Sequence, residues 1–246
     1  MMNPIIQSLF DRKSCRIFED KEISQEERKL ILEACMQAPS AGNQQMYTII
    51  DVQDKKLQET LSKTCDNQSF INQAKMVLIF CADFQKWYDL FSYENCNPRK
   101  PGVGDLLLAT TDATIAAQNA VVAAESLGIG SCYIGDILEQ HDLHRKLLNL
   151  SEYVVPVCML VLGYPAKDHF KRQKPKRCKL EDIICVDQYH RKDKQELKNM
   201  FEHKAVNKTL NEWATAFCNR KYNSDFSKEM TKSVQKYIDQ FKSEAD

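Results

Sequence analysis

Across 246 residues, 34 lysines and arginines are matched by 34 aspartates and glutamates, so the chain is electrically neutral apart from its histidines. A chain this long builds one large domain or two small ones around a substantial core, and its even charge offers no field to attract nucleic acid or an anionic membrane. Ten cysteines with no C-x-x-C pair and no signal-peptide pattern ahead of them predict reduced thiols in a cytoplasmic protein, and no apolar run reaches the ~20 residues of a bilayer span.

Residues 4–11 space Ile5, Ile6, Leu9 and Phe10 as one face of a short helix. The pentapeptide Arg12-Lys13-Ser14-Cys15-Arg16 follows. In an extended backbone Arg12, Ser14 and Arg16 share one side, and two guanidinium forks around a hydroxyl suit a phosphate dianion. The same residues also read as a solvated basic turn, and Cys15 as a nucleophile activated by its arginines or as a small apolar residue. Ser24 and Glu27 form a capping box before Leu30, Ile31, Ala34, Cys35 and Ala38, predicting a helix that must end before Pro39.

The loop Pro39-Ser40-Ala41-Gly42-Asn43-Gln44 concentrates neutral donors and acceptors, which suits the edge of a heterocycle that does both. Met46–Val52 reads as a buried strand, 54–64 as a surface helix, 68–73 as a polar connection and Met76–Ala82 as a central strand. Phe84–Gly104 carries no firm signal and is expected to be a lid or loop. From Asp105 to Leu127 the chain is small or apolar, which predicts a helix buried nearly all round, as core axis or dimer interface. Gly128 supplies its left-handed cap. A turn at Gly130 leads into 131–135, where Gly135 marks a backbone that comes close to a ligand. A surface helix at 138–148, a central strand at Val154–Leu162, the rigid basic cluster Lys174-Pro175-Lys176-Arg177, a strand at Glu181–Val186 leaving the globule and polar helices over 188–244 complete the chain. His141 and His144 with Glu139 have metal-ligand spacing but lack a third ligand of the usual kind.

The arm R-K-S-C-R, the loop A-P-S-A-G-N-Q, the alanine-rich stretch through S-L-G-I-G-S-C-Y-I-G-D and V-V-P-V-C-M-L-V-L-G-Y-P-A together resemble the FMN-dependent nitroreductase superfamily. C-A-D-F, A-A-E-S-L-G and K-P-K-R are similar to its oxygen-insensitive NADPH nitroreductase and flavin reductase group. The resemblance covers residues 5–187. It implies an α+β fold with a mostly antiparallel sheet flanked by helices, an FMN-binding domain over 1–187, a helical extension over 188–246 and an intertwined homodimer. It implies FMN held by Arg12, Lys13, Ser14, Arg16, Lys174 and Lys176 or Arg177 at the phosphate, and by Ser40, Asn43, Gln44, Gln68, Tyr133, Ile134 and Gly135 around the ring, with the Gly135 amide toward N5. NADPH or NADH would pass a hydride to FMN, and nitroaromatics, quinones, azo compounds or free flavin would then take two electrons at the same place, giving ping-pong kinetics without a side-chain acid or base. The group's arginine for the NADPH phosphate falls on Phe217 here, leaving Arg220 and Lys221 for that role. A flavin-binding protein without turnover is the alternative reading.

Overall fold

A computed structural model describes residues 2–242. It divides into two compact units, 1–172 with 229–246, and 173–228. The first begins with α1 (Pro4–Asp11), capped by the Asn3 side chain, which accepts the Ile6 N–H, and α2 (Gln25–Met36), whose Ser24–Glu27 capping box is present in both directions. Then come β1 (Tyr47–Asp51), α3 (Lys55–Thr64), α4 (Ser69–Gln73), β2 (Met76–Asp83), α5 (Gln85–Tyr93) and α6 (Val103–Ser126). β3 (Gly130–Ile134), α7 (His141–Leu147), β4 (Val154–Gly163) and α8 (Lys167–Lys171) follow. Helices α9 (Leu180–Ile183), α10 (Lys194–Phe201) and α11 (Leu210–Lys221) lie in the second unit, and α12 (Asp225–Asp239) returns to the first.

Among the described residues the sheet runs β1-β2-β4-β3, antiparallel throughout. Side chains alternate across β2 and β4. Met76, Leu78, Phe80, Leu160 and Leu162 pack with α2 and α6, while Val77, Ile79, Met159 and Val161 pack with Leu61 of α3 and Ile71 of α4. Burial on both faces explains why β2 reads as an unbroken apolar run. The end of α6 is a Schellman cap: Gly128, at φ +72°, donates to Glu125 O, and Ile129 donates to Ala124 O.

Several expectations need correction. Helix α6 is long and apolar enough to cross a membrane by length and composition; its alanine face instead lies in the core with Leu78 and Leu160. It is not buried all round, because Leu107 and Leu108 are exposed. Residues 84–104 contain α5, uncapped by any side chain and held by Tyr88 packing edge-on to Tyr153 at 5.4 Å. Residues 69–73 form α4. Gly130 is the first residue of β3 rather than a turn. A 3-10 turn at Asp136–Leu138 and a left-handed Gln140 separate β3 from α7, which is no surface helix, since His141 and His144 are both buried. The strand expected over 181–186 is not formed: α9 occupies Leu180–Ile183, and among the described residues the sheet consists of β1–β4 alone.

Candidate functional site

The basic arm is fixed by the sheet beside it. Cys15 N–H donates to Ser131 O at 2.8 Å, Ala166 N–H to Ile17 O at 3.0 Å, and Glu19 N–H to Tyr164 O at 2.8 Å. Gly130 and Gly163 face each other in the β3–β4 ladder, and the arm fills the space that their missing side chains leave. A Cβ on Gly130 would stand 2.7 Å from Cys15 Cβ, and one on Gly163 would stand 2.7 Å from Phe18 Cδ1. Only glycine allows so close an approach at these two positions.

Cys15 is fully buried, its thiol points to Ile17 O, and burial pushes its pKa up. It is therefore a packing residue and a poor nucleophile. The Cys132 thiol points to Tyr133 O; burial pushes its pKa up, while the nearby Arg16, Ser14 and Arg12 side chains pull it down. The Arg16 guanidinium also lies 5.7 Å from the Phe70 ring centre. Lys13 points elsewhere, with Nζ donating to Phe170 O and Arg172 O. The arm's alternation thus gathers Arg12, Ser14 and Arg16 around Cys132 and sends Lys13 toward the end of α8.

Next to Cys132, Tyr133 is half exposed, and its hydroxyl donates to Gln118 Oε1 at 3.4 Å. Ile134 is buried in the core with Cys132, Ile137 and Met159. Gly135 has open space where a side chain would be. Gln68 Nε2 donates to Cys65 O at 3.0 Å and to Asp136 Oδ2 at 2.9 Å, which brings the start of α4 to the end of β3.

The amide-rich loop is anchored separately. Ser40 Oγ accepts the Gln45 N–H, and Gln44 O accepts Trp87 Nε1–H at 2.9 Å. Gly42, Asn43 and Gln45 adopt positive φ. Asp112 of α6, only 2 % exposed, accepts the N–H of Ala41 and the N–H of Met46. Sequence reasoning missed both Asp112 and Trp87. The only trace of Asp112 is a lone carboxylate inside a run of small residues. Among the described residues no hydrogen bond joins Ser40, Asn43 or Gln44 to the arm or to Gln68.

In the second unit Lys174, Lys176 and Arg177 precede α9 in a segment without regular secondary structure. Arg220 stacks over Phe217 at 5.4 Å and Lys221 over Phe226 at 5.1 Å, while Phe217 stacks on Trp213. The two histidines with ligand-like spacing are engaged by protein: His144 with Ile137 O and Thr64 Oγ1, and His141 with Asp142. Burial lowers the pKa of His144.

The donor set suits FMN. Two guanidinium groups and a hydroxyl converge at one end for a phosphate, and an open glycine main chain stands one strand-end away for a planar ring. Comparisons agree with that chemistry. Residues 9–164 match the model of the nitroreductase family. The chain is 39% identical over 177 residues to an FMN reductase [NAD(P)H] of Bacillus subtilis, covering 70% of each chain. It is 33% identical over 205 residues to an oxygen-insensitive NADPH nitroreductase of Salmonella typhimurium, covering 83% of this chain and 82% of that one. NfrA2 of B. megaterium superposes with a TM-score of 0.84 at 31% identity, over 99% of this chain and 100% of that one.

Proposed function

This chain belongs to the nitroreductase family and is an NAD(P)H-dependent flavin or nitro reductase with FMN as its cofactor; we propose that it reduces nitroaromatics, quinones, azo compounds or free flavin by a ping-pong mechanism. The observation that carries the reading is the arm bearing Arg12, Ser14 and Arg16, hydrogen-bonded along its backbone to Ser131, Ala166 and Tyr164 beside the strand β3, which leads into Gly135 with open space where a side chain would be.

When bound, FMN supplies the redox chemistry, accepting a hydride from NAD(P)H and passing two electrons on. The protein contributes placement. Arg12 and Arg16 grip the phosphate oxygens and Ser14 donates its hydroxyl, with Lys174 and Lys176 or Arg177 as further cations. Gly135 offers its N–H toward N5, Tyr133 and Ile134 lie against the ring, and Gln68, Ser40, Asn43 and Gln44 supply donors and acceptors to its polar edge. Arg220 and Lys221 take the 2'-phosphate of NADPH. One exposed site serves donor and acceptor in turn, so no side chain acts as general acid or base.

The working protein is a cytoplasmic homodimer whose 188–246 extension contributes to dimer and NAD(P)H contacts. Two features support this assembly. Ile5 and Ile6 of α1 and Leu107 and Leu108 of α6 expose apolar surface, and the amide-rich loop is anchored apart from the arm, as expected if each flavin site draws on two copies.

A visible absorption spectrum of the purified protein tests the cofactor, and Arg16→Ala tests the site. Arg16 is exposed, so the variant should fold normally, yet it loses charge-assisted contacts of roughly 1.5–3 kcal/mol. FMN should bind about 10- to 100-fold more weakly. Unchanged affinity in a flavin titration would remove the arm from the site.

A further inference from the structure

Behind the Gln68 contact stands a pair of carboxyl groups that the redox chemistry does not use. Both hydrogens of the Gln68 amide nitrogen are taken, one by Cys65 O and one by Asp136 Oδ2. Since both partners are pure acceptors, the orientation of the amide is fixed, and Oε1 is its remaining function. Asp136 and Glu139 stand at the two ends of one 3-10 turn, where the Glu139 N–H donates to Asp136 O at 3.0 Å, and the Asp136 charge acts on the Glu139 carboxyl. Glu139 is only 6% exposed, and its Oε1 is buried without a donor. Two ionised carboxylates cannot satisfy one another, whereas one proton between them supplies the missing donor.

We propose that Asp136 is a positioning residue for the flavin site: with Glu139 holding the pair's proton, the Asp136 carboxylate clamps the Gln68 amide so that Oε1 is presented to the N3–H edge of the ring. This rests on the reading of Gln68 as a flavin-lining residue. The surroundings favour one proton on the pair at neutral pH. Burial first, then the negative charges of Asp136, Glu229 of α12 and Asp66 of the turn after α3, push the Glu139 pKa up to about 7. His144 of α7 brings no positive charge there, because burial lowers its pKa, and the Cys65 thiol is pushed up to about 12. The surrounding segments are stitched together, with Gln140 Nε2 donating to Thr64 O and His144 Nε2 meeting Thr64 Oγ1. Loss of the shared proton therefore acts on the clamp rather than dissipating in a loose loop.

The test is FMN affinity, read as flavin fluorescence quenching from pH 6 to 9, in wild type, Asp136→Asn and Glu139→Gln. Wild-type affinity should fall about 5- to 10-fold as pH rises through neutrality, a normal size for coupling between two sites. Glu139→Gln keeps the shape and a donor but cannot ionise, so its profile should be flat. Asp136→Asn can turn an amide N–H toward Gln68, so it should bind FMN several-fold more weakly at every pH and shift the flavin's visible band. A wild-type profile that is flat, or one that persists in Glu139→Gln, overturns the proposal; so does an Asp136→Asn variant with wild-type affinity and spectrum. A wild-type protein that binds no FMN at any pH instead brings down the cofactor reading, and the clamp with it.

Discussion

Asp112 Oδ1 accepts the Ala41 N–H at 3.0 Å, tying the centre of the longest helix to the first turn of the amide-rich loop. The other oxygen takes the Met46 N–H at 3.1 Å, so one buried carboxylate holds both ends of the loop. Asp112→Asn puts an amide nitrogen opposite one of these donors. A loss of roughly 1–3 kcal/mol in urea unfolding is expected from the unsatisfied pair, together with a higher KM for NAD(P)H if the loop lines the ring. A variant as stable as wild type would show that the clamp is dispensable.

The approach of Phe18 to Gly163 predicts a coupled pair of substitutions. Gly163→Ala forces its new Cβ against the Phe18 ring, and overpacking of this kind costs about 1–3 kcal/mol. Phe18→Ala opens the space, so the double variant should be more stable than the two single losses summed would allow. Strict additivity in chemical denaturation would mean that the arm shifts freely, contrary to its backbone hydrogen bonds.

Glu139 makes stability depend on pH. Its carboxyl has an ordinary value of 4.5, raised to about 7 in the fold. The folded state therefore holds the proton more tightly, and the stability this gives is complete below the ordinary value and lost as pH rises toward 7. Glu139→Gln removes that loss. Thermal melts of variant and wild type should nearly coincide at pH 4.5 and diverge by pH 8, with the variant roughly 1–3 kcal/mol the more stable. Equal separation at both pH values would place the titrating group elsewhere.

Donor choice tests the second unit. With Phe217 stacked between Trp213 and Arg220, Arg220 and Lys221 are the cations left to read a 2'-phosphate. NADPH should be accepted, and NADH should be a usable but poorer donor. Arg220→Ala should raise the KM for NADPH about tenfold and spare both NADH and kcat, because such a contact is equal in ground and transition states. Strict dependence on NADPH that survives Arg220→Ala would move the recognition elsewhere.

Much of the first unit was legible in residue patterns. The capping box at Ser24, the unbroken apolar run of β2 and the glycine after α6 each state a local requirement that the fold satisfies. Asp112 was not legible, because its partners lie 66 and 71 positions away and nothing in its own neighbourhood distinguishes it. The Gly130–Cys15 and Gly163–Phe18 contacts were hidden for the same reason. Helix α5 was missed because it depends on aromatic packing rather than on a cap or a clear stripe. The apolar run at Ile183–Val186 suggested a strand, but a strand needs a neighbour, and no strand of the described residues pairs there. The Asp136–Glu139 pair was invisible for a different reason: the spacing is ordinary, and burial gives it its chemistry.

The two facing glycines also bear on how a ligand arrives. A segment seated on a ladder in this way, with its backbone already hydrogen-bonded to Ser131, Tyr164 and Ala166, has surrendered its conformational entropy during folding. At the site proposed for it, an incoming phosphate would meet arginines on a finished surface and have no chain to order. Loading should then be a second-order collision whose rate follows phosphate charge and ionic strength, without the slow, concentration-independent phase of a segment that must fold around its guest.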